Sequence, residues 1–352
     1  MVDTEEKLST FLVQLEKAVW VAVDTEADSL HAYPEKLCLI QISTAAEDRL
    51  IDPLASINLL PLLKALSAHE LIMHGADYDL RLLQKHHAFV PGSIFDTMLA
   101  ARLLGIRQFS LGDLVETHLG VKLEKGPQKA NWALRPLSPK MEHYARNDTH
   151  HLKPLADHLR TELEKKGRLA WHKESCARLI TDCTQERPSN LDSVWRLKGS
   201  HRLSGQALAI LREVWFWRET EAIRANRPPF FILSHDVLVG ISAAGAGGHS
   251  YQHLLPRHIS ERRAHGLVAA VEKGGAVPAA DHPRPLRIQS RRPTEGEKHN
   301  FALLEKRRNL RAADLEIDPT LIASRATLSD LAHDWDKHSP DLMAWQRQLL
   351  VP

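Results

Sequence analysis

Cysteine is scarce in this 352-residue chain, which contains only Cys38, Cys176 and Cys183. No two of them form a Cys-x-x-Cys pair, which argues against a zinc module, and so sparse a set favours a reducing compartment. The acidic N-terminus lacks the apolar stretch of a signal peptide. No run reaches the roughly 18 apolar residues that a membrane span requires. We therefore expect a cytoplasmic protein.

A dominant charge of either sign is also missing. The 46 Lys and Arg residues nearly balance the 44 Asp and Glu residues, which leaves a formal net charge of +2. This balance neither requires nor excludes a nucleic-acid partner, because basic surface and acidic metal ligands can occupy different domains. His-Glu-x-x-His, Gly-rich phosphate-loop and Gly-x-Ser-x-Gly motifs are absent. The length predicts two or three domains, since one core rarely grows beyond about 250 residues.

Short apolar runs alternate with helical patterns in the first half of the chain. The runs are Val19–Val23, Leu37–Ile42, Arg49–Ile51 and Leu71–Met73. Leucines recur at helical spacing within residues 59–66, 80–83 and 99–104. The pattern predicts an α/β layer with one mixed sheet. Three closely spaced strands before the first helix predict an antiparallel meander that leads into a parallel portion.

The second half of the chain has a helical pattern. A polar, turn-prone stretch begins at residue 184, and residues 274–297 are rich in Gly, Pro, Ala and Arg. We therefore predict five segments: an α/β domain at 1–183, a connector at 184–204, a helical domain at 205–277, a linker at 278–298 and a second helical domain at 299–352.

Acidic residues stand where the predicted strands end. Asp24 and Glu26 are two residues apart, so in extended backbone their side chains point to the same side. Asp77 is expected to cap the helix after the fourth strand. Asp79 would lie in the first turn of that helix and face the strand ends. The alternative is that both aspartates serve only the helix terminus.

A phenol and a carboxylate share one face of a later helix. Tyr144 and Asp148 are at positions i and i+4. Carboxylates at strand ends commonly hold hard divalent cations, and a neighbouring phenol can orient a water molecule. Each of these features alone has an ordinary structural explanation, whereas their order along the chain forms a specific constellation.

That order resembles the tyrosine subclass of the DEDD exonuclease superfamily. The flanking sequence resembles the ribonuclease D family in three stretches: Asp24–Tyr33 with Leu37–Ser43, Phe95–Thr97 with Ala100 and Ala101, and Lys125, Gln128, Trp132 with Arg135–Ser138. Helical segments resembling the HRDC module of such nucleases are Trp217–Glu219 with Ala222 and Arg227–Pro229, and, more divergently, Leu315–Ile322. The resemblance covers nearly the whole chain.

The resemblance implies a ribonuclease H-like exonuclease domain with a mixed sheet, followed by all-α HRDC-type domains. It implies two divalent metal ions, Mg²⁺ or Mn²⁺, held by Asp24, Glu26, Asp79 and Asp148. Asp79 rather than Asp77 fits the family's second motif, and Tyr144 would position the attacking water. One departure is the sequence Ala130-Asn131-Trp132, where the family often has Ser-Asp-Trp. This change removes an acid outside the four ligands and could alter substrate handling.

The implied function is 3′→5′ exoribonuclease activity, with transfer RNA precursors as the expected substrate. The candidate substrate contacts are Leu30, Tyr33, His74, Phe95, Lys125 and Arg135. Basic residues between Arg284 and Arg311 could bind phosphates, or they could form a solvated linker and helix face. Two alternatives remain. One is a DNA exonuclease, because the motifs do not separate ribose from deoxyribose. The other is a catalytically silent nucleic-acid-binding scaffold, for which we would expect a missing acid.

Overall fold

The chain divides into two compact units. The structure, a computed structural model, describes residues 1–124, 126–185, 192–257, 259–285 and 292–351. Unit 1 comprises the described residues of Met1–Ala27, Leu37–Gln185 and Arg291–Pro352. Unit 2 comprises those of Asp28–Lys36 and Glu186–Ser290.

A five-stranded mixed sheet lies in unit 1. Its strands are β1 (Val21–Ala27), β2 (Leu37–Ser43), β3 (Asp48–Ile51), β4 (Glu70–Met73) and β5 (Ser93–Asp96). The spatial order is β3-β2-β1-β4-β5, in which β1, β2 and β3 pair antiparallel while β4 and β5 extend the sheet in parallel. The predicted meander and parallel portion are confirmed. The apolar-run pattern missed β5, since this short strand has only two apolar residues.

Strand β1 lies further along the chain than its apolar run predicts. Val19 is outside the strand and 86% exposed. Pairing with β2 continues through Asp24 and Glu26, which stand opposite Gln41 and Leu39. The two acids therefore lie within the strand rather than after it, because the ladder to the fully buried β2 fixes their backbone in extended form.

Helices cover the sheet of unit 1 and form the bulk of unit 2. Unit 1 contains α1 (Glu5–Leu15), α2 (Leu60–Ser67), α3 (Asp77–His87), α4 (Thr97–Leu103), α5 (Leu111–Leu119), α6 (Pro139–His150), α7 (Leu152–Lys165) and α8 (Leu169–Thr184). Unit 2 contains α9 (Gly205–Ala225), α10 (Pro229–Ile232), α11 (His235–Ala246) and α12 (Glu261–Gly275). The C-terminal part of unit 1 contains α13 (Glu295–Asp314), α14 (Pro319–Ile322), α15 (Arg325–His333), α16 (Trp335–His338) and α17 (Ala344–Leu350). Within the described residues, no helix is long and apolar enough to span a membrane.

The two faces of the sheet are buried by different helices. Helices α1, α2 and α3 pack with Val21, Val23 and Ile40 in one core. Ala22 belongs to a second core with α4, α5 and α7, and Leu39 joins α6 in a third. Successive β1 side chains alternate between these faces, as a strand requires. Asp24 and Glu26 therefore share the face of Ala22, while Thr25 shares the opposite face.

The C-terminal helices pack into the core of unit 1. Leucine and isoleucine side chains of α13 and α14 join the core that contains Ala22. The indole rings of Trp171 and Trp345 stack with centroids 5.0 Å apart. The buried Arg168 donates hydrogen bonds to the carbonyl oxygens of Leu103 and Leu315, at 2.7 and 2.8 Å. The described part of 299–352 thus shares a core with the α/β region, and the domain boundaries stay predictions.

Helices α9 and α13 contain the same buried arginine arrangement. Arg218 donates to the Leu233 carbonyl and to the Glu219 carboxylate that follows it in the chain. Arg308 donates to the Ala323 carbonyl and to the Asn309 amide oxygen. Each arginine ties its helix to the end of the short helix that follows, α10 or α14. The two helical regions therefore share a local design, and their assignment as HRDC modules stays a prediction.

We predict that Arg168→Ala destabilises the protein by about 2–4 kcal/mol. The variant leaves the carbonyls of Leu103 and Leu315 without these donors, and an unsatisfied buried polar group costs about 1–3 kcal/mol. Urea unfolding followed by circular dichroism measures the change. Lys165→Ala is the control, because its ion pair with Glu162 is exposed and should contribute less than about 1 kcal/mol. Equal effects of the two variants would contradict the prediction.

Candidate active site

Three carboxylates meet between strand β1 and helix α6. The hydroxyl of Ser138 caps α6 by accepting from the Met141 N–H at 3.3 Å. Ala145 of this helix is buried in the same core as Leu39 of β2. Asp148 lies one helical turn beyond Tyr144. One carboxylate oxygen from each of Asp24, Glu26 and Asp148 lies within 4.8 Å of the other two.

Asp79 approaches the site from the opposite face of the sheet. It is buried in the first turn of α3, and the Thr25 hydroxyl donates a hydrogen bond to its Oδ1. Its oxygens lie outside the group of three, although its charge acts on both Asp24 and Asp148. The structure thus brings the four predicted acids into one electrostatic group. Three of them are tightly clustered, and a hydrogen bond from Thr25 orients the fourth.

Asp77 does not cap α3 as predicted. Ala76 occupies the cap position, and Asp77 is the first helical residue. Its carboxylate instead binds Arg81 one turn later, at 3.0 Å, and this pair lowers the pKa of Asp77. The carboxylate of Asp96 accepts from the Ala76 N–H at 2.7 Å, so a side chain from the next strand stabilises this turn.

Burial raises the pKa values of all four acids, and repulsion from neighbouring carboxylates adds to it. Burial is the largest cause in each case. The pKa of Asp24 rises well above its ordinary value, also because of Asp79, Asp148 and Glu26. The pKa of Glu26 rises to about 9 and that of Asp148 to about 7. Asp79 reaches only about 6, since the hydrogen bond from Thr25 opposes the effect of burial. The cluster therefore holds protons or cations near neutral pH.

Tyr144 is held as a neutral hydrogen-bond donor. Burial, followed by the charges of Asp148, Glu26 and Asp24, raises the pKa of its phenol. Its hydroxyl is hydrogen-bonded to Asp148. A phenol with a raised pKa is a poor general base near neutral pH. The geometry therefore suits a group that gives its one hydroxyl proton to Asp148 and orients a reactant by accepting a hydrogen bond at its phenol oxygen.

Two predicted substrate contacts are integral parts of the fold. Phe95 is 1% exposed and packs against His172, with ring centroids 4.3 Å apart, so its ring is inaccessible for stacking on a base. Arg135 makes two 2.6 Å hydrogen bonds to the Asp52 carboxylate and donates to the Cys38 carbonyl at 2.7 Å. Neither residue therefore fits its predicted role as a substrate contact. The sequence alone did not reveal the buried partners that hold these side chains.

The other candidate contacts have different surroundings. Leu30 is exposed, and the Tyr33 hydroxyl donates to Glu219 within unit 2. Tyr33 is therefore an anchor for its segment rather than a free ring. His74 lies at the end of β4 with Nδ1 2.8 Å from the Thr97 hydroxyl, and burial lowers its pKa. Lys125 lies outside the described residues.

Two polar residues near the acids escaped the sequence reasoning. Thr25 lies between the predicted ligands Asp24 and Glu26, and its side chain binds Asp79. Gln41 lies within the family-like stretch Leu37–Ser43 and stands directly opposite Asp24. The available signal was polarity inside an apolar run, since Gln41 interrupts five apolar residues of β2.

Comparison with known proteins assigns the chain to a class. Residues 1–164 match the family model described as 3′-5′ exonuclease. Ribonuclease D of Gluconacetobacter diazotrophicus is 30% identical, over 99% of this chain and 89% of its own. The exosome complex exonuclease RRP6 of Saccharomyces cerevisiae is 30% identical, over 69% of this chain and 35% of its own. The crystal structure of Escherichia coli RNase D has a TM-score of 0.77 at 23% identity, covering 99% of this chain and 97% of that one.

The fold, the acidic cluster and the matched model together define a 3′→5′ exonuclease. With 30% identity across nearly the full length of both chains, this protein belongs to the ribonuclease D family and is a 3′→5′ exoribonuclease.

The cluster is compatible with a divalent metal ion. All of its candidate ligand atoms are carboxylate oxygens, which hard cations such as Mg²⁺ and Mn²⁺ prefer over nitrogen or sulfur. Neighbouring carboxylates add to burial in raising the pKa values of these groups, and no cationic side chain of the described residues is among the causes. A bound cation would supply compensating positive charge.

We predict that metal and pH act together on stability. In EDTA, the melting temperature should fall between about pH 5 and about pH 9. Acids with raised folded-state pKa values stabilise the fold below their ordinary pKa, and this contribution is lost as pH rises through the folded values, which are about 6 for Asp79, 7 for Asp148 and 9 for Glu26. Mg²⁺ should oppose the fall increasingly toward high pH. Calorimetry measures both series, and a pH-independent effect of Mg²⁺ would contradict the prediction.

Proposed function

We propose that this exoribonuclease shortens structured RNA from the 3′ end, with transfer RNA precursors as a natural substrate. The single observation that carries the catalytic part is the convergence of Asp24, Glu26 and Asp148 beside Asp79. The solved E. coli relative is described as an exoribonuclease involved in structured RNA processing, which supports the substrate part. Transfer RNA precursors combine a folded body with a single-stranded 3′ end.

We assign the four acids as ligands of two Mg²⁺ or Mn²⁺ ions. Asp24, Glu26 and Asp148 would hold metal through the oxygens that the fold already brings together. Asp79, oriented by Thr25, would complete the set. When bound, such ions generate a nucleophilic hydroxide and stabilise the leaving 3′ oxygen.

The remaining residues handle orientation. The Tyr144 hydroxyl lies in hydrogen-bond contact with Asp148 and would aim the attacking water toward the terminal phosphate. Because its pKa is raised, the phenol keeps its proton while it does so. Thr25 keeps Asp79 directed toward the cluster through a buried hydrogen bond, so the second-motif acid depends on β1 for its position.

The central test compares RNA with DNA. A 5′-labelled single-stranded RNA and a DNA of equal length are incubated with Mg²⁺ or EDTA, and the products are resolved by gel. We expect stepwise 3′ shortening of RNA in Mg²⁺ only, slower shortening of DNA, and no cleavage of circular RNA, which has no end. Faster shortening of DNA would overturn the RNA assignment.

We predict that Asp24→Asn reduces the rate at least about a hundredfold, a scale typical of removing one group that stabilises reacting charge. Asparagine keeps the shape of the side chain, so the melting temperature should not fall. Single-turnover kinetics and a thermal melt on the same sample measure both. Retained Mg²⁺-dependent hydrolysis in the folded variant would overturn the assignment of the metal site.

We predict that Tyr144→Phe lowers the single-turnover rate at least about tenfold, on the usual scale of a positioned proton-handling group. Mg²⁺ affinity should stay within about twofold of the wild type, because the phenol is not a proposed ligand. His143→Ala is the matched control on the adjacent, exposed position of α6. An unchanged rate in Tyr144→Phe would remove the phenol from the mechanism.

A further inference from the structure

Gln41 is a fully buried amide with no hydrogen-bond partner among the residues that the structure describes. All seven residues of β2 are buried, and Gln41 is 0% exposed. Neither its Nε2 nor its Oε1 hydrogen-bonds to any described residue. Such groups are rare in native interiors, because an amide removed from water without a partner destabilises the folded state. An aliphatic side chain would fit this apolar strand better, so stability does not explain the glutamine.

The register of the sheet puts Gln41 beside the metal site. Gln41 is the direct partner of Asp24 in the antiparallel ladder, and directly opposed residues point to the same face with Cβ atoms about 5 Å apart. Two residues further along β2, the Ser43 hydroxyl is 2.7 Å from the Thr149 hydroxyl of α6. The face that carries Gln41 is therefore the face that α6 covers, and α6 also carries Asp148.

The amide has the chemistry that a metal-binding carboxylate needs from its neighbour. A carboxylate that gives one oxygen to a cation keeps lone pairs free, and hydrogen bonds to these orient the ligand. The Gln41 amide offers two N–H donors. It carries no charge, so it orients an ionised carboxylate without competing with the cation.

We propose that Gln41 is a positioning residue that donates a hydrogen bond to the ionised carboxylate of Asp24 and thereby strengthens metal binding. This inference rests on the proposed function, because it assigns Asp24 as a metal ligand. It gives the buried amide a partner in the metal-loaded protein. Gln41 thus costs stability in the metal-free protein and contributes affinity in the loaded one.

The opposite effects of Gln41 on metal-free stability and on metal affinity distinguish the proposal from a packing role. If Gln41 only supported the fold, replacing it would weaken the metal-free protein and leave metal affinity unchanged. If it positions Asp24, an apolar replacement keeps or raises the stability of the metal-free protein and weakens metal binding. The two roles therefore predict opposite pairs of results.

The test uses Gln41→Leu and, as a second apolar replacement of similar length, Gln41→Met. Unfolding midpoints in urea with EDTA report on the metal-free fold, and Mn²⁺ titration by calorimetry reports on affinity. We expect midpoints equal to or above the wild type, with the Mn²⁺ dissociation constant raised about 10- to 100-fold, the usual effect of losing an outer hydrogen bond to a metal ligand. A dissociation constant within about twofold of the wild type in both variants would overturn the proposal.

Ser43→Ala is the matched control on the same face of β2. Ser43 bonds Thr149 and Asp48 and stands opposite Ala22 instead of an acid. Its replacement should lower the urea midpoint and leave the Mn²⁺ dissociation constant unchanged. Asp24→Asn separates the two levels of inference. Unaltered Mn²⁺ affinity in Asp24→Asn overturns the proposed metal site itself, whereas loss of affinity there with wild-type affinity in both Gln41 variants overturns only the role of Gln41.

Discussion

Repulsion among partly buried carboxylates is the constraint on which the rest of the site depends. Asp24, Glu26 and Asp148 converge between β1 and α6, and Asp79 adds its field from α3. A cluster of this kind opposes folding when it is ionised, so the surrounding cores must hold it closed. The fully buried strand β2 on one side and the packing of α6 onto Leu39 provide that support. A bound metal ion would relieve this electrostatic repulsion.

The alternation of side chains along β1 explains how four acids from three elements form one electrostatic group. Asp24 and Glu26 face α6, whereas Thr25 between them faces α3 and binds Asp79. One strand thus supplies two candidate ligands and orients a third, because its side chains point to opposite faces. Asp148 depends in the same way on α6, since Ala145 of that helix is buried in one core with Leu39 of β2. A shift of β1 by one residue would reverse every one of these assignments.

Local spacing made some of this predictable. The pair Asp24 and Glu26, and the helical pair Tyr144 and Asp148, are set by strand and helix periods that can be read from sequence. Residues whose role depends on a distant partner were misread or missed. Phe95 is buried in a core and Arg135 is bound to Asp52. The residues that surround each of them are distant in sequence. The strand Ser93–Asp96 was missed because its burial comes from neighbours rather than from its own short run.

Gln41 shows why such residues resist prediction from sequence. Its polarity is costly where it stands, and a strand-by-strand reading would treat it as an irregularity in β2. Its position opposite Asp24 is a property of the antiparallel register, which exists only after β1 and β2 have paired. The same pairing that buries the amide brings it to the carboxylate that it can orient. Without metal, both the repulsion among the acids and the unpaired amide of Gln41 destabilise the fold. Because one cation relieves both, metal binding stabilises the protein more than it would if only the acids were involved.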